Sequence, residues 1–221
     1  MAGSERIYVV GVASVFAWEV VESCRRSGIT PICVDNYGGA DARLPNLIEL
    51  SELDDRDTPW ILGMAKAEYR SKASVAIAKS GFGEPTSLID PTAVVASTVE
   101  VGHGAYVNSL AVVASNSRLG CHAHVNRSVS VGHDCKIDFA ASVCAGAVLA
   151  GFVEVGAAAF VGVGATILPQ LSIGAGSVIG AGAVVTKDVP AGEVWAGVPA
   201  RRIRANDEEL VFQCPHCGAD E

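Results

Sequence analysis

Few residues in this 221-residue chain have side chains suited to chemistry: five histidines, seven cysteines and a scatter of carboxylates. At one point three such groups follow a glycine in succession, Gly132-His133-Asp134-Cys135. An imidazole titrates near neutrality, so His133 could accept a proton from a nucleophile and release it again. Successive residues of a strand point to opposite faces, so His133 and Asp134 can cooperate only where the backbone bends. His122 and His124 alternate along what reads as one strand and are expected to face solvent or a neighbouring subunit. Near the carboxyl terminus, Cys214-Pro215-His216-Cys217 has the spacing of half a zinc ribbon. A structural zinc needs four ligands and this segment offers three at most. A frayed tail is therefore expected, the alternative being a zinc shared with another part of the chain or another subunit.

What these groups can do depends on which distant residues become neighbours. From Ile89 to Pro190 the chain repeats every six residues without insertion, with an aliphatic residue opening each of seventeen hexads, as in Val125, Val131, Ile137, Val143 and Leu149. The fifth position is small or modest throughout, as in Ala123, Val129, Cys135, Ala141 and Ala147. No single hexad can bury its own apolar face, so a fixed period of this length implies units that stack into a solenoid. In proteins of this kind three flat six-residue strands close one triangular coil, and eighteen residues return the chain to the same corner. The seventeen hexads then make just under six coils and a prism on the order of 27 Å long at ordinary interstrand spacing. Counted this way, Ser115 and Gly151 flank His133, and Ala181 stacks on Val163. A glycine beside an imidazole leaves room for a ligand and exposes an N–H able to stabilise an oxyanion. His103 is thirty residues from His133, so it belongs to another face and is expected to point to solvent.

The first 85 residues follow a different period. Arg6 to Gly11 reads as a strand buried on both faces, Ser14 as the cap of a helix reaching Ser27 with Gly28 as its stop, and Thr30 to Asp35 as a second strand. This is a βαβ unit. An acidic, loop-like stretch, Glu49 to Asp57, leads to a strand at Trp60–Gly63 and a helix at Ala65–Lys79. Gly11 ahead of a helix start is a place where backbone N–H groups could meet phosphate, and Asp35 ends the second strand where hydroxyls or a base edge could be bound. Three segments are expected: a small Rossmann-like α/β unit at 1–85 for substrate, the hexad solenoid at 86–190, and a cover and tail at 191–221. Ile7–Trp18 is apolar, but Glu5, Glu19 and Glu22 around it argue against a signal peptide.

A net charge of −8 argues against nucleic acid or an anionic membrane as partner. An odd number of cysteines spread through a regular fold suggests reduced thiols in a cytoplasm.

The hexads, together with Gly197-Val198-Pro199-Ala200-Arg201-Arg202-Ile203-Arg204 after them, resemble the left-handed parallel β-helix of the hexapeptide-repeat acyltransferases. The small unit in front narrows the resemblance to the nucleotide-sugar N-acetyltransferases and sialic acid O-acetyltransferases of bacterial glycan biosynthesis, including the acetyltransferase of the bacillosamine pathway. The resemblance implies a mainly β fold and a homotrimer with interfacial sites. It also implies acetyl-CoA as co-substrate, with no metal required, and an amino sugar, nucleotide-linked, as acceptor. His133 would be the general base, and Asp134 would raise its basicity and hold its tautomer. Gly151 would hold the thioester carbonyl, with further coenzyme A contacts at Ser142, Val163 and Ala181. Relatives have histidine where this chain has Ser142. Acceptor contacts carry over by position to Ala13, Ser14, Asp35, Asn36 and Gly63. The loop Gly11–Phe16 keeps only the first glycine of the family's Gly-rich loop, and Val15 and Phe16 would crowd a pyrophosphate there. The alternatives are a sugar O-acetyltransferase using the same residues, a β-helical zinc carbonic anhydrase with histidines from two subunits, and a non-catalytic trimeric binding module.

Overall fold

The computed structural model describes residues 5–36, 38–53 and 55–217. Residues 1–4 and 218–221, at the outer ends of the first and last expected segments, lie outside the described residues, as does Asp54 of the acidic stretch.

The amino-terminal part contains β1 (Arg6–Val10), α1 (Ala17–Arg26), β2 (Thr30–Asp35), β3 (Ile48–Glu49), β4 (Trp60–Leu62) and α2 (Ala67–Lys79). The four strands form a parallel sheet in the order β3-β2-β1-β4. Ile7 and Val9 pack with Val20, Val21 and Cys24 of α1 on one face, while Tyr8 and Val10 pack with Ala73 and Ile77 of α2 on the other. Covering both faces is what makes β1 and β2 read as unbroken apolar runs. Two boundaries differ from the sequence expectation. Ser14 does not cap α1: its Oγ accepts the Phe16 N–H and its carbonyl the Ala17 N–H, so it closes a turn and the helix starts at Ala17. The acidic stretch is not all loop, because Ile48–Glu49 joins the sheet edge and Leu50–Glu52 forms a 3₁₀ turn.

The hexads wind as a solenoid whose two-residue strands pair in parallel with partners eighteen residues away, for example His124 with Ser142 and Val125 with Val143. Val107, Val125, Val143 and Val161 stack in its fully buried core. Every sixth residue from Gly104 to Gly182 has positive φ, and nine of these turn residues are not glycine. Each hexad of this span therefore turns its corner through the left-handed region, where Asn and Asp are tolerated best after glycine. After Pro190 the strand Glu193–Ala196 pairs parallel with Val178–Ile179, and Arg201–Ala205 folds back antiparallel upon it. Trp195 and Ala200 close the end of the core.

The three sides of the prism have different chemistry. One presents Leu88, Tyr106, His124, Ser142, Phe160 and Val178, and the amino-terminal part packs against it, with Leu88 and Tyr106 in the core shared with α1. The next presents Glu100, Arg118, Lys136, Glu154 and Ser172, a charged ladder in which Lys136 and Glu154 pair at 2.8 Å. The third presents Val94, Val112, Ser130, Val148, Thr166 and Val184, with Val94, Val112 and Val148 exposed. Among the described residues no helix is long and apolar enough to cross a membrane.

Two buried ionic groups lock the amino-terminal part in place. Arg70 of α2 is fully buried and donates to the carbonyls of His122, Met64, Ala65, Ala140 and Ala141 and to Ser142 Oγ, at 2.7–3.2 Å. Burial pulls its pKa down to about 9, so the guanidinium is still charged at neutral pH. On the α1 side, buried Asp90 accepts from Ser23 Oγ at 2.6 Å and Arg26 Nε at 2.8 Å, and Tyr106 Oη meets the same Ser23 hydroxyl. Burial alone would raise the Asp90 pKa, but hydrogen bonds from Arg26, Ser23 and Thr92 outweigh it and hold the carboxyl at about 2.

Arg70→Ala leaves buried carbonyls without donors and is expected to destabilise the protein by on the order of 3 kcal/mol. Denaturant unfolding together with limited proteolysis of residues 5–85 checks this, and an unchanged midpoint and cleavage pattern would refute the latch. The depressed Asp90 pKa makes its contribution complete above the unfolded value of about 4 and lost as pH falls toward 2. The stability gap between wild type and Asp90→Asn should accordingly be widest near neutral pH and close between pH 4 and 2 in urea titrations.

Candidate active site

His133 sits at a corner of the coil, at the junction of the apolar third side and the charged side. The backbone turns there because Asp134 has φ +56°, one of the left-handed positions that recur every six residues. The turn swings both side chains outward, and His133 Nδ1 meets Asp134 Oδ2 at 2.7 Å. A carboxylate can only accept, so Nδ1 carries the proton and Nε2 is left with its lone pair. Asp134 is placed by the coil below: its N–H donates to the Ser115 carbonyl at 3.0 Å, and Asn116 Nδ2 lies 3.5 Å from its other oxygen.

Nε2 lies over Gly151 in the next coil. A β-carbon added there would lie 2.8 Å from Nε2 and 2.9 Å from Cε1. The Gly151 carbonyl accepts from Gln170 N, and the Phe152 N–H donates to the His133 carbonyl, so adjacent coils clamp this corner. The Phe152 ring meets the imidazole edge-on at 5.1 Å and forms an apolar wall beside it. Sequence reading missed Phe152, although a count of eighteen from Asp134 reaches it. Cys135 is not part of the reactive set: its buried thiol donates to the Ala150 carbonyl at 3.1 Å, and burial raises its pKa.

The remaining expected positions fall elsewhere. Val163 and Ala181 are both exposed and stacked, with the Gly182 N–H on the Val163 carbonyl, at the corner between the third side and the side carrying the amino-terminal part. Ser142 does not accompany them: it is buried beneath α2, where its hydroxyl accepts from Arg70 and faces the Ala65 carbonyl. His122 and His124 are likewise buried rather than solvent-facing. The alternation that suggested exposure fails because His122 is itself a left-handed turn residue and the amino-terminal part covers both. His124 stacks on Phe16 at 5.4 Å. Burial, reinforced by Arg70, lowers the His122 pKa to about 3 and that of His124 well below its usual value, so both are neutral. His103 is on another corner, as the count implies, and its side chain is 44% exposed, with Nδ1 turned inward and Cys217 close by.

In the amino-terminal part, Ala13 is exposed and Ser14 half-buried, at the start of the turns before α1. Phe16 folds inward onto His124 and Tyr106, while Val15 stands out of the loop. Gly63 is a packing glycine, since a β-carbon would lie 3.1 Å from Val9 and 3.2 Å from Ala17. The buried Asp35 carboxylate accepts from the N–H groups of Gly38 and Ala40 and so holds the loop after β2. Beside it Asn36, whose buried Oδ1 has no hydrogen-bond partner among the described residues, borders a hollow of about 730 Å³ also lined by Glu49, Ser51, Arg56 and Ser80. Arg56, the one cation of the acidic stretch, lies over the Phe82 ring at 4.6 Å and was not anticipated from sequence.

No protein-family model matches the chain, and no curated protein matches it. Solved structures do. PerB of Caulobacter crescentus, in complex with CoA and GDP-perosamine, is 29% identical over 92% of this chain and 98% of its own, with a TM-score of 0.80. The acetyltransferase domain of PglB from Neisseria gonorrhoeae, in complex with acetyl coenzyme A, is 28% identical over 91% and 100%, with a TM-score of 0.83. WeeI of Acinetobacter baumannii is 26% identical over 89% and 99%, with a TM-score of 0.76. In its solenoid the chain is similar to the hexapeptide-repeat β-helix acyltransferases. Within that class the chain resembles the nucleotide-sugar acetyltransferases over nearly its whole length.

Gly151→Ala is expected to push the imidazole off Nε2's present position, read as shifted His133 ring resonances and at least a tenfold loss of any activity centred there. Unchanged resonances would show that the glycine does not shape this corner.

Proposed function

We propose that this chain is an acetyl-CoA-dependent N-acetyltransferase acting on the amino group of a nucleotide-linked amino sugar of bacterial glycan synthesis, with His133 as general base. The observation that carries the proposal is the fixed pair His133–Asp134 with Nε2 directed at the space over Gly151. An amine attacking a thioester carbonyl must lose a proton, and Nε2 takes it. Asp134 holds the tautomer and stabilises the imidazolium that results. The N–H of Gly151 is assigned to the oxygen on which negative charge develops, and Phe152 keeps water from one flank. The imidazolium then returns the proton to the departing thiolate. PerB with CoA and GDP-perosamine and the PglB domain with acetyl coenzyme A support the two substrate classes.

The same reading assigns residues 1–85 to a Rossmann-like acceptor unit, 86–190 to a left-handed transfer scaffold and 191–221 to a cover. Asn36 and Arg56 at the hollow, with Ala13 and Ser14 at the loop, are the acceptor contacts, and Val163 and Ala181 are coenzyme contacts. His133 occupies the corner opposite the side that carries the amino-terminal part, so an acceptor held there is out of its reach within one chain. Val163 and Ala181 lie across the apolar third side from it. Packing that side against another copy removes Val94, Val112 and Val148 from water and brings the His133 corner of one copy to the Val163 corner and acceptor unit of the next. These features support a homotrimer with three interfacial sites. Seven cysteines, none of them in a disulfide, suit a reducing cytoplasm.

Incubation with acetyl-CoA and a panel of amino-sugar nucleotides, followed by mass spectrometry, should show a gain of one acetyl group on at least one acceptor. His133→Ala should lower turnover at least a hundredfold, and Asp134→Asn by a smaller factor, both with the native mass still three times the 22.7 kDa chain. Wild-type turnover in His133→Ala would sink the mechanism. A monomeric wild-type protein with full activity would sink the shared site.

A further inference from the structure

Away from the His133 corner, the rule of eighteen stacks His103 directly beneath Cys121, with the His122 N–H donating to the His103 carbonyl at 2.8 Å. The tail then runs along this corner. Val211 and Cys214 pack against Phe139, Ala140 and Ala157, and Cys217 arrives with its Sγ 3.3 Å from that of Cys121. Ligand atoms of His103, Cys121 and Cys217 all lie within 4.8 Å of one another; Cys214 is outside that set, its thiol neighbouring Cys121, and would move inward to complete the site. The sulfur separation is well beyond the ~2.05 Å of a disulfide and within about half an ångström of the ~3.8 Å edge of a tetrahedron with ~2.3 Å zinc–sulfur bonds. Among the described residues His103 Nδ1 is buried without a hydrogen-bond partner, so its lone pair is open to a metal, and Glu84 lies 3.7 Å from Nε2, beyond hydrogen-bond reach.

We propose that Cys121, Cys214, Cys217 and His103 form a tetrahedral structural zinc site that staples the tail to the solenoid. The tail's Cys-x-x-Cys supplies two ligands on a short loop, and the rigid coil register supplies the other two from consecutive turns. Binding releases the three thiol protons to solvent and leaves three thiolates and a neutral imidazole around the ion. His216 is not a ligand: its ring lies against Trp60, 6.0 Å between centroids. No ligand belongs to the corner assigned to acetyl transfer, so this site stands or falls independently of that function.

The full chain, purified under reducing conditions from zinc-supplemented cells, should carry one zinc per chain by elemental analysis. Exchange for cobalt should give the intense visible bands of tetrahedral thiolate coordination. Cys121→Ser and Cys217→Ser should lose both signals and His103→Ala should weaken zinc binding at least tenfold, whereas His216→Ala should keep it. Should a variant fail to fold, the wild-type protein still decides the matter through metal content and cobalt spectrum. Zinc-free protein with all thiols reduced and no cobalt bands would overturn the proposal, as would a Cys121–Cys217 disulfide in a non-reducing peptide map.

Discussion

Every coil of the solenoid must hydrogen-bond to the coil eighteen residues on, and this backbone register governs the rest of the molecule. Its strands are only two residues long, so no strand is stable alone, and each acquires partners only through the coils above and below. A single inserted residue would carry the aliphatic series from core to surface and misalign each later corner. The same register brings imidazole, glycine and phenylalanine together from residues 133, 151 and 152, and it pairs His103 with Cys121 on a different corner.

Regular corners produce an irregular chemistry because the left-handed turn position accepts several residue types. Where it is Asp134, the turn that would otherwise be a neutral feature aims a carboxylate at the preceding histidine. Where it is His122, the same turn directs an imidazole under the amino-terminal part, where desolvation keeps it uncharged. The two histidines hold different places in the turn, His122 the left-handed position and His133 the one before it. They differ as well in what covers them, and desolvation marks His122 as the core residue.

Legibility in the sequence divides along the same line. Stacking follows from a fixed period, so the core series, the Gly151 contact and the separation of His103 from His133 could all be counted. Docking follows no period. Nothing in residues 65–79 distinguishes Arg70 from an exposed helical arginine, so the side of the prism that it covers could not be foreseen. That is why His122 and His124 were expected at the surface. The helix start was misjudged for a local reason, since Ser14 satisfies a turn ahead of α1 rather than the helix itself. The tail was read as frayed because its four-residue motif lacks a fourth ligand in sequence; the count of eighteen pairs His103 with Cys121, but the tail lies outside the repeat and no period leads to Cys217.

Arg70 also has a consequence for how the molecule could change over time. Of its contacts with the solenoid, three are main-chain carbonyls, and two of those, at His122 and Ala140, are equivalent atoms in successive coils. The guanidinium thus recognises the repeat itself rather than particular side chains, and any sequence that keeps the coil keeps most of the socket. An amino-terminal unit with a different binding hollow could be exchanged onto the same prism so long as it presents an arginine at this point of its second helix. Acceptor choice and acyl transfer would then be free to diversify separately, joined by an adaptor that is nearly blind to both.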